Sequence, residues 1–431
     1  MSSSSQAVKA VFDGRRHEQK SRFLTLFSQA LVSGTNFVTS VIVGNACGAD
    51  GLGYYALGFS IVVFGIGLQS AVVSIPYTVF YPAESESRRK LRAGSSLWNH
   101  GRVLVLGSVL LLLASVILFS TGAAQEAMVG ACLLMAVPAT ISRDFARRIC
   151  FADVDSGKAI KLDSSVTAIQ LGLLSALWLA DLLTPEAAIL SVGLACLIPS
   201  IVFFHAHKAR FEFDRESLRK DAEKDWQFGK WILVEQVFTI ASTYLMPWLL
   251  AIYLDSVAVG VFAACFSIAG LSNPFLQGMG NFLLPVFSRH VSNGNRQRLS
   301  RDNRRYTVMT AGVMLAFFAV CAVAGEWMLA TLFPRKDYDG FGSLVALLAA
   351  RSLIGSFGLT AHYVLLAVEK PRVSLVASVL SVISMVIAAV FLIPEYGLYG
   401  AGISWLLGTF VESAVMIIGY LNFCSYRQDV K

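Results

Sequence analysis

Apolar runs separated by short polar breaks fill the chain almost from end to end. Twelve are legible, at residues 23–44, 52–80, 103–120, 127–150, 166–183, 187–205, 231–254, 257–287, 308–333, 344–368, 373–393 and 400–423. Each is near or above the roughly 20 residues that a helix needs to cross a bilayer, and each is too long and continuous for a strand. Lipid admits only helices or closed barrels, because backbone groups find no water there. The pattern therefore predicts an all-α membrane protein.

Composition agrees with this reading. Of 431 residues, 55% are hydrophobic and 15% charged, against roughly 25% charged in a soluble domain. A water-soluble enzyme of this size is excluded. A nucleic-acid-binding or disordered chain is excluded too, because the +7 net charge sits in clusters between apolar runs and on no continuous polar surface. Seven cysteines show neither CxxC nor metal spacing, and no metal or cofactor is expected. The Ser-rich start, followed by Arg15, Arg16, Lys20 and Arg22 and a full-length span, offers no cleavable signal.

Charge also orients the spans. All but three of the 35 Lys and Arg residues fall in the N-terminal arm, the even-numbered connections with their adjoining span ends, or the C-terminal tail. Arg335 and Lys336 lie on the opposite side, and Arg351 lies inside the tenth span. This positive-inside bias predicts twelve spans with both termini cytoplasmic. The longest polar stretch, at 207–230, reads as a cytoplasmic linker, helical on the surface or solvated. It divides the chain into an N-terminal six-helix lobe (1–206) and a C-terminal one (231–431).

Those lobes look duplicated. At one constant offset Gln29, Gly53, Ala56, Phe59, Ser60 and Ile61 fall on Gln236, Gly260, Ala263, Phe266, Ser267 and Ile268, and Tyr55 falls on Phe262. Two residues further out of register, Pro185, Glu186 and Gly193 meet Pro394, Glu395 and Gly402. Six spans return the chain to its starting side, so a second copy inserts in the same orientation. The copies are then related by a pseudo-two-fold axis along the membrane normal, with a cleft between them opened alternately to each side. That is the logic of a transporter.

Two segments carry a family resemblance. The stretch from Asn36 to Tyr81, with its short outer turn and GLGYYALGFSI, and the segment IPEYGLYGAGISWLLG from Ile393 to Gly408 resemble polysaccharide flippases of the multidrug/oligosaccharidyl-lipid/polysaccharide exporter superfamily. The resemblance implies export of a lipid-linked saccharide. The cargo would be an undecaprenyl-diphosphate-linked O-antigen or exopolysaccharide precursor, turned from the cytoplasmic to the outer leaflet of a bacterial inner membrane. Its expected partners are that lipid-linked oligosaccharide and membrane lipids, with a polysaccharide polymerase and chain-length machinery as candidates and no nucleic acid. The alternative within the superfamily is a multidrug/cation antiporter, although no acidic residue occurs between Phe23 and Ala49. A membrane-bound polymerase or ligase would need a large outer loop, and the longest here, around PRKDYDGFG, is small. No GxxxxGK[ST] phosphate loop is present, so ATP chemistry is not expected.

Charges inside spans are costly and mark function. In the fourth run Arg143 and Arg147 share a helix face at i,i+4, while Asp144 and Arg148 form an opposite-charge pair beside them. These arginines are candidates to receive a diphosphate, against a reading as topology anchors. Arg351 falls on Arg143 under the repeat and is the leading substrate candidate, against a buried pair with Glu412 or Glu326. Glu235 and Glu412 are candidates for ion coupling. His362 is more readily a packed histidine. Gln29, Ser33 and Asn36 mark one wet face of the first span, and Gln236 is the repeat mate of Gln29, so Gln29, Asn36 and Gln236 join the substrate-binding set. Pro76, Pro247, Pro274 and Pro285 are candidate bend points.

Overall fold

The computed structural model describes residues 2–153 and 155–425, and among these no strand occurs. The helices are α1 (Ser2–Gln69), α2 (Ile75–Phe80), α3 (Glu86–Ser120), α4 (Ala124–Ala152), α5 (Ser156–Leu179), α6 (Pro185–Ala206), α7 (Arg215–Tyr253), α8 (Ser256–Ala269), α9 (Asn273–Ser292), α10 (Arg296–Leu332), α11 (Gly342–Ala367) and α12 (Pro371–Ser425). The tail cations Arg427 and Lys431 lie outside the described residues.

Ten helical stretches among the described residues are long and apolar enough to cross a membrane. The chain is a multi-pass helical membrane protein. Two stretches are exceptionally long, Phe27–Ala83 with 57 residues and Pro371–Cys424 with 54. At 1.5 Å per residue a straight helix of either length would extend about 80 Å, against a hydrocarbon thickness of about 30 Å. Each is two helices meeting at a kink, at Gly48 (φ 73°) and at Gly397 (φ 56°), a left-handed backbone that only glycine adopts without strain. At the first kink Arg335 caps the preceding helix end, donating from Nε to the Asn45 carbonyl (2.8 Å) and from Nη2 to that of Ala46 (3.0 Å).

Elsewhere the elements depart from the hydropathy runs in instructive ways. The polar stretch expected as a linker is helical from Arg215 onward and continues without a break into the apolar part of α7. The run at 257–287 is interrupted by a tight turn, Gly270–Ser272, after which Pro274 opens α9. Pro247 and Pro285 sit inside α7 and α9. Between α1 and α2 lies one widened π-helical turn, Ser70–Ser74, closed by the Ile75 N–H donating to the Ser70 carbonyl. Pro76 follows it directly.

The chain forms two compact units. The first comprises Met1–Val38, Ile61–Leu182 and Glu186–Leu233, and the second Thr39–Ser60, Leu183–Pro185 and Val234–Lys431. In the first, Val73, Tyr77, Ala93, Phe145 and Ile149 form a buried core. At its polar end Arg92 of α3 is fully buried and bonded to Asp225 of α7, while Arg88 binds Asp221 at 2.9 Å. In the second, Met279, Leu283, Phe287, Leu299 and Val364 form one core cluster. Outside these cores long stretches of α3 and α10 present Val105, Leu110, Phe119 and Val323 at their surfaces, as lipid-facing helices must.

Lipid tails are as apolar as leucine, so helices here associate through close packing of small residues and not by escaping water. Gly53 and Gly260, matched by the sequence repeat, show this within the second unit. A Cβ at Gly260 would stand 1.7 Å from the Ala49 carbonyl oxygen, and one at Gly53 would stand 1.9 Å from that of Ser256. No side chain fits at either position. Gly260→Val is expected to destabilise the protein by about 1–3 kcal/mol through overpacking, read as a lower thermal midpoint in detergent. Gly312→Ala, where a Cβ would meet nothing within 4 Å, is expected to leave that midpoint unchanged or raise it.

Candidate functional site

In the first unit the charged groups of α4 converge on one carboxylate. Asp155 caps α5 by accepting from the Lys158 N–H at 3.0 Å, so the helix is already formed when the chain reaches Asp163, which is fully buried. Asp163 accepts from Arg143 Nη2, from Arg147 Nε at 3.0 Å, and from the Ser28 hydroxyl of α1. Arg147 also donates from Nη2 to Ser28 Oγ (3.1 Å) and to Gln29 Oε1 (3.2 Å), and its guanidinium lies 5.0 Å from the Phe151 ring centroid. One carboxylate thus ties together α1, α4 and α5.

Its charge does not cancel the arginines. Two guanidiniums meet one carboxylate, and Arg148 is matched by Asp144 in the expected i,i+4 pair at 3.6 Å. The group carries one net positive charge, and Arg143 Nε is buried with no acceptor. Such a site holds a further anion more readily than it holds a cation. Asn36, two turns beyond Gln29 on α1, is half-buried in the same unit.

The second unit holds its arginine differently. Arg351 of α11 lies over the indole of Trp405 on α12, its guanidinium carbon 4.0 Å from the ring centroid. Trp405 is itself fixed, donating from Nε1 to the Ser242 carbonyl of α7 at 2.6 Å and packing against Phe262 and Phe266. Glu412, two turns along α12 from Trp405, is the charged group that acts on Arg351 electrostatically. Among the described residues no ion pair forms between them, and Arg351 Nε is buried without an acceptor. The other expected partner, Glu326, is engaged elsewhere, accepting from the Gly340 and Gly342 N–H groups at 2.6 and 2.7 Å. The cation–π contact engages the charge of the guanidinium and none of its N–H donors.

Glu235 and Gln236 are half-buried on α7. Lys230, a possible partner for Glu235, lies instead over the Trp231 ring at 5.7 Å. His362 packs edge-on against Tyr363 and bonds to Ser374 Oγ at 3.1 Å, the packed histidine expected. Gln29, Arg143 and Arg147 therefore share one network with Arg148 beside it, while Arg351 stacks on Trp405 and makes no bond to Glu412 among the described residues.

Asp163 is the residue that sequence reasoning missed. Lys158 and Lys161 around it lower the local hydropathy, which placed residues 151–165 in a connection. The signal was present in another form. The buried positions of α5, Ser156, Ala159, Leu162, Asp163, Val166, Gln170 and Leu174, follow helical spacing from before the apolar run begins.

Comparison with known proteins places this geometry in context. Residues 158–339 match the family described as "Polysaccharide biosynthesis protein". Over 204 residues the chain is 22% identical to a probable low-salt glycan biosynthesis flippase of Haloferax volcanii, covering 47% of this chain and 43% of that protein. The chain thus matches less than half the length of that relative. Its fold is that of MATE transporters of the MOP superfamily. An inward-facing member superposes with a TM-score of 0.77 at 17% identity, covering 92% of this chain and 95% of the other. An outward-facing structure gives 0.66 at 15%, covering 95% of each. A Vibrio cholerae MATE transporter gives 0.65 at 16%, covering 94% of this chain and 96% of that one. These findings bear out the family resemblance read in the sequence.

Asp163→Asn strips the counter-charge from two buried arginines. It is expected to cost about 3–5 kcal/mol, seen as a marked fall in thermal midpoint. Adding Arg147→Gln is expected to recover part of that loss, so that the two substitutions are strongly non-additive.

Proposed function

We propose that this protein turns over a lipid-linked saccharide by alternating access, carrying an undecaprenyl-diphosphate-linked O-antigen or exopolysaccharide precursor from the cytoplasmic to the outer leaflet of a bacterial inner membrane. In this reading the chain crosses the membrane twelve times with both termini inside. Lobes 1–206 and 231–431 are the duplicated six-helix halves, joined through 207–230.

The observation that carries the reading is Arg351. An arginine inside a span, aimed by an indole and left without an acceptor, is expensive to maintain. It becomes favourable when an anionic group arrives to take its donors. A diphosphate supplies such oxygens, and the fork of a guanidinium matches them. Arg143, Arg147 and Arg148 are further candidates for diphosphate contact, while Gln29, Asn36 and Gln236 offer hydrogen bonds to sugar hydroxyls. The polyprenyl tail stays in lipid. Glu235 and Glu412 are the groups proposed to couple the cycle to an ion gradient. The family match at 158–339 and the flippase relative support this cargo. Polymerase and chain-length machinery would be its partners in the membrane.

The MATE-like fold supports a second reading, a multidrug/cation antiporter. Arg351→Ala separates the two. In a host whose surface polysaccharide depends on this protein, the flippase reading expects loss of polysaccharide with dye resistance unchanged, and the antiporter reading expects the reverse. Arg351→Lys keeps the charge but loses the fork, and is expected to restore export only in part. Loss of a charge-assisted hydrogen bond of about 1.5–3 kcal/mol corresponds to roughly 10- to 100-fold in cargo affinity.

A further inference from the structure

One cation of the first unit has no role in either arginine network. Arg102 is exposed on α3 and has no hydrogen bond or ion pair among the described residues. It stands among lipid-facing side chains, with Leu106 one turn further along and 62% exposed. One turn before it lies Trp98, and across from it on α7 lies Trp226, both more than half exposed. Exposed tryptophans beside a charged helix end mark the headgroup level of the bilayer, so Arg102 lies at or just below the phosphates of that leaflet.

Two grooves meet at Arg102. The first, about 620 Å³, follows Trp98, Val105 and Val109 and is closed by Phe213. The second, about 790 Å³, runs past Val103 and Leu110 toward Val72 of the π-helical turn and Trp226 and Leu233 of α7. Both have the size of a small-molecule site, and Arg102 and Leu106 line both. The helix ridge therefore separates two apolar channels that open from a single cation. The second channel also carries Glu223 and Asp225 at its polar end. Asp225 is occupied by Arg92, whereas Glu223 has no partner among the described residues.

We propose that this forked groove binds one diacyl glycerophospholipid with a phosphoethanolamine headgroup, from the leaflet at the N-terminal end of α3. The phosphate sits on Arg102, the ammonium sits on Glu223, and one acyl chain lies in each channel on either side of Leu106. The fork is what selects a two-chain lipid. A polyprenyl phosphate has one chain and no cation, so it would leave one channel and Glu223 unmatched. A diacyl lipid whose headgroup carries no cation, such as phosphatidylglycerol, would fill both channels but set no positive group against Glu223. An arginine that merely snorkels to any nearby headgroup needs neither channel. The inference is independent of the cargo and involves none of the residues assigned to it.

The test uses the full chain in nanodiscs containing equal parts phosphatidylethanolamine, phosphatidylglycerol and undecaprenyl phosphate, followed by native mass spectrometry of the retained lipid. The wild type is expected to retain one phosphatidylethanolamine. Arg102→Gln is expected to reduce retention about tenfold or more, and Glu223→Gln to abolish the preference over phosphatidylglycerol while keeping a bound diacyl lipid. Val109→Trp, which fills one channel, is expected to exclude the diacyl lipid and to admit its single-chain lyso form when that form replaces it in the nanodisc. Thermal midpoints matching the wild type show that each variant is folded. Equal retention by wild type and Arg102→Gln overturns the site. A wild type that retains phosphatidylglycerol equally well, or prefers undecaprenyl phosphate, overturns the assigned ligand.

Discussion

Hydrocarbon offers no hydrogen bonds, and that single fact governs how this protein handles every polar group it places inside a span. A charge there must be answered by another side chain, by water or by a ligand. Asp163 is the clearest product of this constraint. It is fully buried, it accepts from Ser28, Arg143 and Arg147, and it fixes α4 and α5 against α1 through charge where soluble helices would rely on apolar burial. Close packing at Gly53 and Gly260 does the corresponding work in the second unit.

The two units answer the same constraint unequally. The repeat in the sequence pairs Arg143 with Arg351, yet their surroundings differ in kind. Arg143 is held by a carboxylate, and that contact consumes much of its capacity to bind anything else. Arg351 lies over the face of Trp405, a contact that takes none of its hydrogen-bond donors. The first arrangement favours permanence and the second availability.

Much of this was legible in the sequence because hydropathy reports burial in lipid directly. The apolar runs became helices, and the pair of Asp144 with Arg148 followed from spacing alone. What hydropathy hid has two physical causes. Helix continuity depends on backbone hydrogen bonds and is indifferent to polarity, so α7 runs straight through the charged residues that look like a linker, and α5 begins well before its apolar run. Burial of a charge depends on what lies opposite, so Asp163 reads as solvated until α4 supplies its arginines. Arg351 shows the same limit, since it pairs with neither candidate carboxylate and lies over Trp405 instead. Glu326 and Glu412 were equivalent on paper, and the backbone N–H groups of Gly340 and Gly342 claim Glu326.

The widened turn at Ser70–Ser74 has a geometric corollary for its whole neighbourhood. A π-helical turn holds one residue more than an α-helical one, which amounts to a twist of about 100° at 3.6 residues per turn. Everything after Ser74 is clocked round by that angle relative to everything before Gln69. Pro76 has no N–H to give to a residue four back, so the extra residue and the imino ring form one joint accommodation. The azimuth of Tyr77, whose hydroxyl accepts from Arg210 at 2.9 Å, is thereby set by a single inserted residue, and a deletion of one position in this turn would swing that hydroxyl to a different side of the helix altogether.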